Sequence, residues 1–148
     1  MGGERDVVKK YILDMWGNYS ETVLDHALSP RNVGSIPGAD GFGEGAGECE
    51  DTLAIWLRVV DDRVADARFW TDGCGTTIAC GSMVTELVKG KTIKEAFLVD
   101  ASKILEALGG LPRENVHCAF LAADALKKAL NNYLEVKGSP WKRPYREA

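Results

Sequence analysis

Four cysteines, Cys49, Cys74, Cys80 and Cys118, are the residues of this chain with the widest chemistry. A thiolate can bind a soft metal, accept sulfur or attack an electrophile. Asp51 stands two residues after Cys49, and His117 directly precedes Cys118. Side chains two apart on a strand point the same way, so Cys49 and Asp51 can face one site. Cys74 lies between Gly73 and Gly75, and this predicts unusual backbone angles and a close approach of the main chain to a bound ion. Helices predicted to open at Cys74 and at Cys118 would favour the thiolate at each N-terminus. A set of Cys, Asp, Cys, His and Cys suits zinc or an iron–sulfur cluster, with carboxylate or imidazole in a fourth place. No Cys-x-x-Cys pair occurs, which argues against a zinc ribbon and a thioredoxin-type redox site. The wide spacing of the cysteines selects no single use.

Each candidate also has a plain structural use. Cysteine is often a small buried hydrophobe. Cys80 is read that way, because it shares a helical stripe with Val84, Leu87 and Val88. Cys118 extends a stripe with Ala122 and Ala125, His117 could be a surface histidine, and Asp51 could simply open a strand. His26 is assigned to a solvated helix face. Cys74 resists such a reading, since two flanking glycines make a poor core position.

The elements that must position these residues follow from periodicity. Residues 5–16 carry apolar side chains at helical spacing. Ser20 is a candidate N-cap for a short helix through about His26, stopped by Ser29-Pro30. Residues 33–50 hold Gly34, Gly38, Gly41, Gly43, Gly45 and Gly47, and are read as a mobile loop ending at Cys49. Leu53, Ile55, Leu57 and Val59 alternate with more polar neighbours and predict a strand. Asp61-Asp62-Arg63 predicts a turn, and Ala65, Ala67 and Phe69 form the apolar face of a second, antiparallel strand. Helical spacing returns after residue 76. Thr92 to Glu95 matches a capping box, Asp100 caps another helix ended by Gly109-Gly110, and a last helix runs from about Cys118 to Leu134. Strands come first and helices later, so the fold class is α+β. The domain plan is an N-terminal helical extension over 1–18, one domain over 19–135 and a flexible tail over 136–148.

Composition narrows the function classes. The 148 residues are 45% hydrophobic, enough for one modest core, and the formal net charge is −4. A net negative chain is a poor candidate for nucleic acid. No apolar run is long enough for a membrane span, and the N-terminus lacks the apolar core of a signal peptide. The cytoplasm is the expected compartment, and its reducing chemistry favours metal or sulfur use of the cysteines over disulfides.

The segments YSETVLDHALSPRNVGSI, ECEDTLAIWLRV, ADARFWTDGCGTTIACGSMVTELVKGKTIKEA and LPRENVHCAFLAADALKKAL resemble the IscU family and the N-terminal domain of NifU, the iron–sulfur cluster assembly scaffolds. The likeness runs from Tyr19 to about Tyr133. It implies a small antiparallel sheet packed against several helices. It also implies a transient [2Fe–2S] cluster held by Cys49, Asp51, Cys74 and Cys118, with His117 as an alternative ligand and zinc in the cluster-free form. The implied partners are a cysteine desulfurase that supplies sulfur, apo iron–sulfur acceptor proteins that receive the cluster, and a second copy of the chain. Cys118 is the implied persulfide acceptor. Three departures stand out. Glu50 replaces the usual glycine between the first cysteine and the aspartate. Cys80 stands where serine or alanine is usual. Leu111-Pro112-Arg113-Glu114-Asn115 lacks the second proline and the lysine of the common chaperone-binding segment, so an Hsp70-type chaperone is not carried over. The rival readings are a zinc-dependent sulfurtransferase of the SufU type, sharing the Cys/Asp/Cys/Cys set, and a module with structural zinc closed by four firm ligands.

Overall fold

The computed structural model describes residues 19–46 and 51–138. The helix expected over 5–16, the candidate ligand Cys49, Glu50 and the end of the tail lie outside the described residues. Within them the elements are α1 (Glu21–Leu28), β1 (Gly41–Gly45), β2 (Leu53–Val60), β3 (Arg63–Thr71), α2 (Gly75–Val88), α3 (Ile93–Ala96), α4 (Ala101–Leu108) and α5 (His117–Gly138). The three strands form one antiparallel sheet in the order β1-β2-β3. Helices α2 and α5 cover one face, with α1 and α4 packed against them. The fold is α+β, as expected.

Local signals explain most boundaries. Ser20 caps α1, Thr92 and Glu95 form a reciprocal capping box on α3, and Asp100 caps α4, which ends at Gly109 in the left-handed conformation. Asp61 and Asp62 both have positive φ, the backbone that a two-residue hairpin turn needs. Helix α5 continues through Gly138 and buries Val136, so the helix includes the first residues assigned to the tail.

Three expectations are corrected. Residues 41–45 of the supposed glycine loop are a strand. Gly41, Gly43 and Gly45 all face α5, and a Cβ added at Gly43 would lie 2.4 Å from the Ala129 nitrogen and 2.8 Å from the Ala125 carbonyl oxygen. The glycines let a helix backbone touch a sheet backbone, and their alternation is a strand period rather than a sign of mobility. In β3 the inward residues are Val64, Ala67 and Phe69, with Ala65 exposed. A bulge causes the change: Arg58 pairs with Asp66 and Val59 with Val64, leaving Ala65 as the extra residue. Helix α2 is buried nearly all round rather than along one stripe, because α1, the sheet, α4 and α5 each take a side of it.

Candidate functional site

The site begins where β2 starts and β3 ends. Thr71 donates its hydroxyl to the Thr52 carbonyl (2.6 Å) and accepts from the Gly73 amide (3.0 Å), while Asp72 accepts from the Thr52 amide (2.8 Å). These bonds hold Asp51, just before β2, against the turn that carries Cys74. Cys74 is the N-cap residue of α2, and its sulfur is exposed. Burial raises its pKa, but the amides and hydroxyls of Thr77 and Thr76 outweigh that, and the thiol lies below its ordinary value.

Cys118 arrives from the opposite side on the first turn of α5, after a short 3₁₀ turn at Arg113–Asn115. Tyr19 pins that turn by donating its hydroxyl to Asn115 Oδ1 (2.9 Å). His117 Nε2 lies 3.7 Å from Cys118 Sγ. The Cys118 side chain is only 1% exposed.

One side chain lies among these donors. The Thr77 hydroxyl donates to Asp51 Oδ2 at 3.3 Å, and lies 3.5 Å from Cys118 Sγ and 3.7 Å from Cys74 Sγ. Asp51, Cys74, Cys118 and His117 are thus brought together. Among the described residues, no three His, Cys, Asp or Glu side chains are close enough to grip a single ion. Two thiols and an imidazole are nonetheless donors that suit zinc or iron–sulfur chemistry, and the carboxylate adds a charged, harder one.

Sequence reasoning missed two contributors. Thr77 follows Cys74 by three residues in a helix, a spacing that puts both on one face. Gly73 is needed for space rather than for an unusual angle. Neither Gly73 nor Gly75 has positive φ, but a Cβ at Gly73 would lie 2.7 Å from Thr77 Oγ1 and 2.8 Å from Asp51 Oδ2.

Cys80 is fully buried, as its helical stripe predicted. Burial, with smaller contributions from the nearby Cys118 and Cys74, pushes its thiol up so far that it stays protonated. His26 is not on a solvated face: it is 8% exposed, and its Nδ1 lies 2.7 Å from Ser82 Oγ. The Arg31 amide donates to the same oxygen at 2.9 Å. Asn32, in the loop after α1, ties that loop to the C-terminal end of α2. Asn32 accepts from Lys89 Nζ (2.5 Å) and donates to Glu86 (2.8 Å) and Thr85 (3.0 Å).

Comparison with known proteins identifies the family of the chain. The family described as NifU-like N-terminal domain matches residues 18–139. The iron–sulfur cluster assembly scaffold protein IscU 1 of Archaeoglobus fulgidus is 48% identical over 121 residues, covering 81% of this chain and 79% of that protein. IscU of Escherichia coli K12 is 46% identical over 120 residues, covering 78% of this chain and 93% of that one. The crystal structure of a SUF-system scaffold protein from Fervidobacterium islandicum superposes with a TM-score of 0.52 at 26% identity, covering 84% of this chain and 85% of that one.

Proposed function

This chain belongs to the NifU-like N-terminal domain family, and we propose that it is a scaffold, not an enzyme, on which an iron–sulfur cluster is assembled and then passed to acceptor proteins. The observation that carries the reading is the meeting of Asp51, Cys74 and Cys118 around one hydroxyl, at the end of the sheet and the starts of two helices. The cargo is a [2Fe–2S] cluster, and its ligands are Cys49, Asp51, Cys74 and Cys118. A carboxylate holds a soft cluster less firmly than a fourth thiolate would, and this suits release. His117, beside Cys118, is the exchangeable alternative. The cluster-free protein takes one Zn²⁺ through the same donors.

Sulfur comes from a cysteine desulfurase. A thiolate of this chain attacks the outer sulfur of the donor's persulfide, the new S–S bond forms, and the donor cysteine leaves as thiolate. Cys118 is the proposed acceptor. It is buried, so docking must first expose its sulfur. Among the described residues no helix is long and apolar enough to cross a membrane, and the chemistry belongs in a reducing cytoplasm that keeps thiols free.

Anaerobic reconstitution with iron and a desulfurase, followed by visible absorption and transfer to an apo-ferredoxin, tests the reading. Cys49→Ser, Cys74→Ser and Cys118→Ser are each expected to lose the stable cluster, and Cys80→Ala to keep it. A parent that takes up only a tightly held zinc, and no transferable cluster, would favour the sulfurtransferase or structural-zinc reading.

A further inference from the structure

Thr77 is fully buried in α2, yet its hydroxyl is not used as helix threonines commonly use theirs. Thr85, two turns further along the same helix, directs its hydroxyl at the carbonyls of Gly81 (3.0 Å) and Ser82 (2.8 Å). Thr77 instead directs its hydroxyl at Asp51 Oδ2 (3.3 Å), with the sulfurs of Cys118 (3.5 Å) and Cys74 (3.7 Å) also beside it. The gap over Gly73 gives this contact its space, since a Cβ there would displace both Thr77 and Asp51.

We propose that Thr77 is a positioning residue of the cluster site: its hydroxyl fixes Asp51 Oδ2 so that Oδ1 is presented to the incoming metal. The proposal rests on the scaffold reading and assigns Thr77 a part in it. A hydroxyl has one proton and two lone pairs. In the metal-free protein it can give that proton to Asp51 and accept from a thiol. When metal takes the thiolates, those S–H donors disappear, while the bond to Asp51 Oδ2 survives. The carboxylate is then restricted to one free oxygen and binds as a single, replaceable ligand. Groups that orient metal ligands in this way typically contribute about 10–100-fold to metal affinity.

The test uses Zn²⁺ alone as the probe, with affinity measured by competition against a chromophoric chelator. Thr77→Val keeps the volume and removes the hydroxyl, and is expected to weaken binding by about 10-fold or more. Thr77→Ser keeps the hydroxyl and is expected to restore most of the affinity. In an Asp51→Ala background the valine change should have little further effect, because the hydroxyl acts through the carboxylate. Co²⁺ in place of zinc should give thiolate charge-transfer bands of parental intensity in the valine variant. Parental zinc affinity in Thr77→Val, or an equal loss with and without Asp51, would overturn the proposal and leave Thr77 as packing. If valine prevents folding, Thr77→Ala beside Thr77→Ser makes the same comparison. A parent protein that takes up neither Zn²⁺ nor cluster would overturn the scaffold reading itself, an outcome distinct from parental affinity in the valine variant.

Discussion

The described cysteines lie in or at the start of helices α2 and α5, yet differ in what each sulfur can do. Cys74 is exposed at a helix N-terminus with its thiol below the ordinary value, Cys118 is buried beside His117, and Cys80 is enclosed and held protonated. Alkylation of metal-free protein by iodoacetamide near neutral pH is therefore expected to modify Cys74 first, about 10-fold or more ahead of Cys118. Cys80 should react only after unfolding. Because the Cys74 pKa is lowered, its rate should level off at a lower pH than that of an ordinary thiol. Peptide mass spectrometry across a time course would read the order, and rapid labelling of Cys80 in folded protein would contradict the packing. Much of this was legible in the sequence, since glycine flanks mark a surface position and a helical stripe marks a core one. His26 was not legible: its spacing fits either face of a short helix, and only the approach of Ser82 from α2 decides that it is buried. Thr77 was hidden for a related reason, because a threonine in a helix looks like a surface or packing residue until Asp51 and Cys118 arrive from elsewhere in the chain.

At the level of elements, the contact between β1 and α5 governs how the two halves of the site meet. β1 leads toward Cys49, while α5 starts at His117 and Cys118. Their approach has no room for side chains on the inner face of the strand. Gly43→Ala would place a Cβ against helix backbone, which cannot rotate aside as a side chain can. The expected cost is about 1–3 kcal/mol, the usual range for overpacking, read as a lower urea midpoint. Glu44→Ala, on the exposed face of the same strand, should stay within about 0.5 kcal/mol of the parent. The capping residues and the hairpin turn were readable because each acts within a few neighbours. β1 was misread because glycine dominates its composition and composition outweighed its period of two. The bulge at Ala65 was misread because alternation alone carries no mark of one extra residue.

Across the whole molecule, the outer helix α1 is joined to the central helix α2 through a buried contact between His26 and Ser82, and the titration of His26 makes global stability depend on pH near neutrality. Ser82 Oγ accepts from the Arg31 amide and lies 2.7 Å from His26 Nδ1, a contact in which the hydroxyl can donate to the neutral ring. Burial first, and the Arg31 guanidinium second, lower the His26 pKa below its ordinary 6.5, against smaller opposing effects of Asp25 and Glu86. The neutral ring is thus the folded form. Its contribution to stability is complete above pH 6.5 and is lost as pH falls through the lower folded value. Burial pushes Asp66 and Asp124 up, but Arg68 with Lys89, and the Ala46 amide with Lys128, outweigh it and hold both below their ordinary 3.8. Their losses come at more acid pH, so the two windows separate. Urea unfolding of metal-free protein is expected to show one decline beginning near pH 6.5 and a second in the carboxylate range. His26→Asn keeps an acceptor for Ser82 and removes the titration, so the first decline should flatten while the second remains. An unchanged first decline in that variant would place the near-neutral proton on another group, and the link between α1 and α2 would then be insensitive to pH.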